Sequence, residues 1–388
     1  MNVPFLLIGD GWQNPTGLAR IARDLQQVLY DVADPYYVGF HPPGLVHGTA
    51  NPKQWSWSHL GEDWGAEFVV SWIRQSFDPL LPGVVLMVWD PGRAWYYLQQ
   101  VRAQLPAWQI WGYFAVDGHT LSGRLGQAAD TAVRNVDRVL AYTEYGMRIM
   151  REVRGRSVSA LPHGLSIPAF SYDPSVAAQL IPRYGAEADR AWLMGCVATN
   201  QPRKDLHLYF RLLRELRDRG ERVYGWLHTD ELVKHWAIPE LVDQFGVQKW
   251  IRVTTGQYTD SQLHQLYAAC TLTVCVGRGE GFGYPIVESL ACGTPVVAMD
   301  YAGGAERTPA RWRYGWAGVD YAHNQAGVGR PLASLESLLG TVERVLHDTR
   351  RNGLDEIRAY CRGCVAHLDW EYLKPRWESW VRRGLGEL

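Results

Sequence analysis

Lysine is scarce in this 388-residue chain: Lys53, Lys204, Lys234, Lys249 and Lys374 are all it has, and arginine carries the rest of the basic charge. With 39 basic and 40 acidic residues the net charge is −1, which speaks against a broad phosphate-tracking surface of the kind nucleic acid requires. No apolar run approaches the roughly 20 residues that span a bilayer. Met1 to Gly9 has the pattern of one short strand with no basic stretch before it, so no secretory leader is expected, and a cytoplasmic location follows. The six cysteines lie mostly in apolar or helical runs, as small buried side chains do. Cys361 and Cys364 form a lone CxxC in a helical pattern, without a second pair or a histidine at zinc spacing, and packing is expected of them. Internal repeats and low-complexity segments are also absent.

What is present describes a globular protein, 47% hydrophobic and 20% charged, with length enough for two domains. Its densest stretch is Gly277 to Val297, GRGEGFGYPIVESLACGTPVV. A β-like run, Leu272 to Val276, enters a glycine-rich bend, and Pro285 stands where its fixed φ suits a helix start. Gly281 and Gly283 let backbone approach a ligand, and the free N–H groups of a helix start favour an anion. Glu280 falls on the loop and Glu288 in the first turns of the helix. Phosphate-seeking amides are thus flanked by two hydroxyl-seeking carboxylates, a combination that suits a sugar joined to a nucleoside diphosphate.

Elsewhere, strands are expected at Val3 to Ile8, Tyr36 to His41, Phe68 to Trp72, Val84 to Trp89, Ile110 to Val116 and Asp137 to Tyr142. Helices follow at Gly17 to Leu29, with Leu18, Ile21, Leu25 and Leu29 on one face, at Ala94 to Leu105 and at Glu144 to Arg154. A strand, glycine turn and helix at the N-terminus suggest a doubly wound sheet. GDGWQNPTG lacks the GxGxxG spacing of a nicotinamide-binding turn. Asp117, Gly118 and His119 follow a strand end, the side on which open α/β sheets bind ligands. Trp55, Trp57, Trp64 and Trp72 crowd one short span, suited to packing or to stacking on a sugar or base. After Leu161-Pro162-His163-Gly164, residues Ser166 to Asp189 have the look of a linker. The pattern then restarts with a strand at Ala191 to Ala198, a loop ending Arg203-Lys204 and a helix at Asp205 to Arg219. Further strands are expected at Val223 to His228, Trp250 to Thr255 and Val296 to Met299, and helices at Ser261 to Ala269 and from Asp369 to Trp380. Two adjacent cations at a strand end point at phosphate, and they oppose the dipole of the helix they would otherwise merely start.

The Glu–x7–Glu pair within EGFGYPIVESLACGTPVV closely resembles the donor-site signature of retaining glycosyltransferases of the GT-B fold, the group known as family four. The resemblance covers the second half closely and the first loosely. It implies two doubly wound Rossmann-like α/β domains facing each other across a cleft. Residues 1–165 would form the acceptor-side domain, with a C-terminal helix at about 370–388 packing back on it, and 190–365 the nucleotide-sugar domain. By carry-over Glu280 contacts the transferred sugar and Glu288 the ribose. Arg203, Lys204, Gly281, Phe282 and Gly283 serve the donor, and Gly17 lies beneath its phosphates. His119 or Asp117 stands beside the reacting sugar. Gly303-Gly304-x-Glu306 resembles a further donor-side loop. The implied reaction is glycosyl transfer with retention to an acceptor hydroxyl. No metal or other cofactor is expected, since the chain has no Asp-x-Asp pair and its cations take that place.

Alternatives on the same fold are an epimerase or phosphorylase, a non-catalytic sugar-nucleotide binder, and a transferase acting on modified DNA bases. The acceptor, a glycan, a lipid-linked or a small molecule in preference to nucleic acid, is left open. Peripheral membrane contact is also left open, through Arg148, Arg151, Arg154 and Arg156 or through Trp377, Trp380, Arg382 and Arg383, although a solvated helix face and packing are the favoured readings.

Overall fold

The computed structural model describes residues 3–40, 52–57, 61, 63–167, 170, 191–321 and 327–387. They divide into two compact units, Met1–Gly164 with Asn324–Val328 and Trp370–Leu388, and Leu165–His323 with Gly329–Asp369. Most of the stretch expected to be a linker, like the His41 end of one expected strand, lies outside the described residues.

The first unit runs β1 (Phe5–Asp10), α1 (Gly17–Val28), α2 (Tyr30–Ala33), β2 (Tyr36–Phe40), β3 (Gln54–Trp57), α3 (Ala66–Ser76), β4 (Gly83–Trp89), α4 (Pro91–Gln104), β5 (Trp108–Phe114), α5 (Gln127–Asn135), β6 (Arg138–Ala141), α6 (Glu144–Arg154) and β7 (Ser159–Ala160). All seven strands are parallel, in the order β3-β2-β1-β4-β5-β6-β7. Every residue of β4 is buried, as a central strand covered by helices on both faces requires. Phe68 to Trp72, expected as a strand, belongs to α3 instead. Ala66, Val69, Val70 and Ile73 form one buried helical stripe, and a crossover between parallel strands needs such a cover. The local β-branched pair lost to that tertiary demand.

The second unit runs β8 (Trp192–Val197), α7 (Leu206–Asp218), β9 (Val223–Thr229), α8 (Ile238–Gln244), β10 (Ile251–Thr255), α9 (Asp260–Ala269), β11 (Leu272–Cys275), α10 (Tyr284–Ala291), β12 (Val296–Met299), α11 (Ala302–Arg307), β13 (Arg313–Tyr314), β14 (Trp316–Asp320), β15 (Arg330–Ala333), α12 (Leu335–Asn352) and α13 (Leu354–Val365). Its parallel sheet has the order β10-β9-β8-β11-β12-β13, with β14 and β15 an antiparallel pair beside it.

The last helix, α14 (Trp370–Leu385), belongs to the first unit. Trp377 is fully buried, edge-on to Tyr113 at 4.7 Å, and its indole N–H donates to the Pro162 carbonyl at 3.0 Å. Trp380 meets Trp111 at 5.1 Å. A Cβ on Gly164 would lie 2.6 Å from the Trp370 ring, so the unit boundary needs glycine for close approach. The apolar residues of α6 likewise face inward: Met147, Met150 and Val153 are buried. Arg154 spends its guanidinium on the carbonyls of Val133, Val136 and Asp137, and Arg151 donates to that of Val158. Among the described residues no helix is long and apolar enough to cross a membrane.

In both sheets the strand order reverses once. The first unit winds outward from β1 and then from β4, the second from β8 and then from β11. Just beyond the carboxyl ends of such strand pairs, open α/β sheets bind their ligands.

Candidate active site

In the second unit that place is occupied by two loops stitched together. After β8 the chain makes a tight turn over Pro202–Lys204, and Asp205 starts α7 from a left-handed conformation, φ 46°. Arg278, just past β11, donates its backbone N–H to the Arg203 carbonyl at 2.7 Å and its Nε to Asp205 Oδ2 at 2.8 Å. Residues 75 positions apart in the chain are thereby clamped in register.

The clamp sets a buried carboxylate between two cations. Lys204 Nζ donates to Glu280 Oε1 at 2.5 Å; Arg203 Nη1 lies 3.4 Å from Oε2 and 2.9 Å from the Gly279 carbonyl. Glu280 is 7% exposed and Lys204 8%, whereas the Arg203 side chain is 31% exposed. Burial pushes the Glu280 pKa up, but the charges and hydrogen bonds of Lys204 and Arg203 outweigh it and hold the carboxyl below its ordinary 4.5. The site therefore keeps a carboxylate ionised in a dry place, with cationic donors to spare: Lys204 has three and gives one to Glu280.

The bend around Glu280 is shaped by glycine. A Cβ on Gly277 would lie 2.9 Å from Glu280 Oε1, and one on Gly303 would lie 2.6 Å from the Gly281 carbonyl oxygen. Gly303 instead donates its N–H to the Glu280 carbonyl at 3.0 Å, which places the Gly303-Gly304 start of α11 against the bend. Gly283 starts α10 at φ 89°, with Pro285 in the first turn. The N–H groups of Gly281 and Gly283 find no acceptor among the described residues. Gly283 is buried and Gly281 half-buried, and amides at and just before a helix start favour an anion.

Glu288 is placed less openly than its position near a helix start implied. It is the fifth residue of α10, 6% exposed, and accepts from the Tyr267 hydroxyl of α9 at 2.9 Å. Its removal would strand a buried hydroxyl, so the packing of α9 on α10, as well as the site, depends on it. The Phe282 side chain is also buried, with the Arg307 guanidinium 4.6 Å from its ring centre. Motif spacing showed neither Tyr267 nor Arg307, which reach the site from other elements, and it gave no role to Arg278 and Asp205, which stand inside the two loops.

Gly17, Asp117 and His119 belong to the first unit. Gly17 is exposed and opens α1, whose cap is Thr16. Asp117 and His119 lie on the loop three and five residues past the end of β5. His119 Nδ1 is 2.7 Å from the Tyr145 hydroxyl, in the first turn of α6, and burial lowers its pKa from 6.5. The imidazole therefore favours its neutral form near pH 7.

Comparison with known proteins finds similarities of sequence over part of the chain and of fold over its whole length. Residues 183–327 match the model described as glycosyl transferases group 1. The chain is 30% identical over 185 residues to a D-inositol 3-phosphate glycosyltransferase of Nocardiopsis dassonvillei, 45% of this chain and 42% of the relative. It is 28% identical over 213 residues to a GDP-mannose-dependent alpha-(1-6)-phosphatidylinositol monomannoside mannosyltransferase of Mycolicibacterium smegmatis, 49% of this chain and 52% of that one. The chain thus spans about half the length of the curated relatives it matches. Among solved structures, the fold is similar over the full length of both chains to Anabaena Alr3699/HepE in complex with UDP and glucose, TM-score 0.72 at 15% identity. It is likewise similar over the full length to a sucrose-phosphate synthase from Thermosynechococcus elongatus, TM-score 0.75 at 16% identity.

Proposed function

We propose that the chain, whose residues 183–327 match the glycosyl transferases group 1 model, moves a sugar from a nucleotide-diphosphate sugar to an acceptor hydroxyl, with retention at the anomeric carbon and without a metal. One observation carries this reading. At the strand reversal of the second unit, the ionised Glu280 is held between Lys204 and Arg203 beside the unspent amides of Gly281 and Gly283.

The chemistry needs positive potential where the diphosphate leaves. Lys204, Arg203 and the two amides supply it as preorganised donors, in the role a metal clamp plays elsewhere. Glu280 has no proton to give at neutral pH and accepts from sugar hydroxyls instead, fixing the ring for attack. Glu288, anchored by Tyr267, takes the ribose. His119 positions the sugar, and a donor phosphate oxygen receives the acceptor proton on the face the leaving group vacates. The relatives' printed names, which include inositol-phosphate and GDP-mannose-dependent transferases, support a nucleotide-sugar donor.

Proton NMR of the first-formed product tests the reaction. An α-linked donor is expected to give an α-linked product, with turnover unchanged in EDTA. A β-anomeric coupling overturns retention and makes His119 or Asp117 the general base. Complete loss in EDTA, restored by metal, overturns the cation account.

A further inference from the structure

The first unit has a strand reversal of its own, and no motif in the sequence marks the residues there. Asp10 ends β1, Trp89 ends β4, and Arg93 stands in the first turn of α4. The Trp89 indole donates to Asp10 Oδ1 at 2.7 Å, and the Thr16 hydroxyl to Oδ2 at 2.8 Å. The Arg93 guanidinium lies 4.1 Å from the Trp64 ring centre and 4.4 Å from that of Trp89. Its nearest carboxylate oxygen, Asp10 Oδ1, is 3.6 Å away, an ion pair beyond hydrogen-bond length. Among the described residues one of its N–H groups is directed at Asp10, with the charge of Asp90 also nearby, which leaves most of its five donors uncommitted; the side chain is 27% exposed, so water reaches it.

The cage is built at a cost. Trp64 has φ +54°, in the left-handed region that a bulky side chain avoids, and the Tyr97 hydroxyl donates to its carbonyl at 3.0 Å. Next to it Gly65 has φ +79°, and a Cβ there would lie 2.2 Å from the Phe40 ring. Phe40 stacks on the far partner, Trp89, at 5.2 Å. Backbone strain that its surroundings over-determine is characteristic of functional sites. Arg154 shows what a purely structural arginine does in this unit, giving its N–H groups to three carbonyls. Arg93 is oriented by aromatic faces instead, which leaves its planar fork of donors for an oxyanion. The remaining lone pairs of Asp10 lie beside it for a hydroxyl.

We propose that the Asp10–Arg93 cluster is an acceptor subsite, and that the acceptor is a hydroxylated molecule bearing a phosphate group bound by Arg93. The proposal rests on the chain being a transferase, since only a transferase has an acceptor to hold. The phosphate belongs either to a soluble polyol phosphate or to a lipid headgroup.

The test is calorimetry on the full chain with inorganic phosphate, glycerol 3-phosphate and inositol phosphate, each polyol phosphate paired with its unphosphorylated polyol. Flotation with phosphatidylcholine vesicles, with and without phosphatidylinositol, separates the lipid source. Arg93→Gln is expected to weaken the phosphate-bearing probe, or vesicle capture, by about ten- to a hundredfold. Arg93→Lys, which keeps the charge but loses the fork, should give an intermediate loss. Equal binding of phosphorylated and plain polyols, or undiminished binding by a folded Arg93→Gln chain, overturns the proposal. UDP and GDP binding is measured alongside and is expected to be unchanged in both variants. If the unaltered chain binds neither nucleotide, the donor reading falls, while the Arg93 result still stands or falls by its own probes.

Discussion

The two sheets wind alike and reverse alike, yet the second unit places a buried ion cluster at its reversal and the first an arginine caged by indoles. In the second, Glu280 and Lys204 are each less than a tenth exposed and satisfy each other. In the first, Arg93 lies over two ring faces with Asp10 beside it, and most of its N–H donors are not committed to the protein. A charge sequestered with its counter-charge is costly to disturb from either side, because the survivor stays buried alone. A charge resting on aromatic faces at the surface loses much less. The same topological position therefore holds a buried ion cluster in one unit and a partly exposed arginine over aromatic faces in the other.

The largest expected difference between them is in stability. Lys204→Ala should cost about 3–5 kcal/mol, as one-sided removal of a buried pair does, whereas Trp64→Ala should cost roughly 0.5–2 kcal/mol of cation–π attraction, offset in part by released backbone strain. Urea denaturation of both variants reads the two directly. Similar losses would erase the contrast between the sites.

The next effect concerns nucleotide affinity. Glu288→Ala should weaken nucleoside diphosphate binding and also cost about 1–3 kcal/mol of stability, because the Tyr267 hydroxyl is stranded. Glu288→Gln keeps an acceptor for that hydroxyl and should lose affinity with less loss of stability. Calorimetry beside thermal melts separates the two, and undiminished affinity in both variants would remove Glu288 from the site.

Acid should separate the carboxylate of the second unit from the imidazole of the first. Glu280 has a folded pKa below its ordinary 4.5, so its contribution is complete above that pH and is lost as pH falls further. The folded pKa of His119 lies below 6.5 because of burial. The unfolded chain binds that proton more readily, so stability starts to fall earlier, as pH drops through 6.5. Removing the imidazole with His119→Phe should reduce the first slope, to which His228 and His367 of the second unit also contribute, and leave the second, as pH-dependent melts would show. The smallest effect expected is on turnover in His119→Ala, a reduction rather than an abolition if the residue positions the sugar as proposed.

Much of the second unit could be read along the chain. Glu280, Gly281, Gly283, Pro285 and Glu288 fall within nine residues because a strand, a bend and a helix start are local structures, and local spacing carries their chemistry. β12 occupies the expected Val296–Met299, since a short apolar run between turn residues has few other uses. Trp64, Trp89, Arg93 and Asp10 are spread over 84 positions, and only the winding of a parallel sheet brings them together. Phe68 to Trp72 has strand-forming residues but is helical, because a crossover between parallel strands must cover the sheet. Burial decided the rest. The pairing of Glu280 with Lys204 and the shielding of Glu288 by Tyr267 depend on packing between elements far apart in sequence, which residue order does not encode in any local pattern.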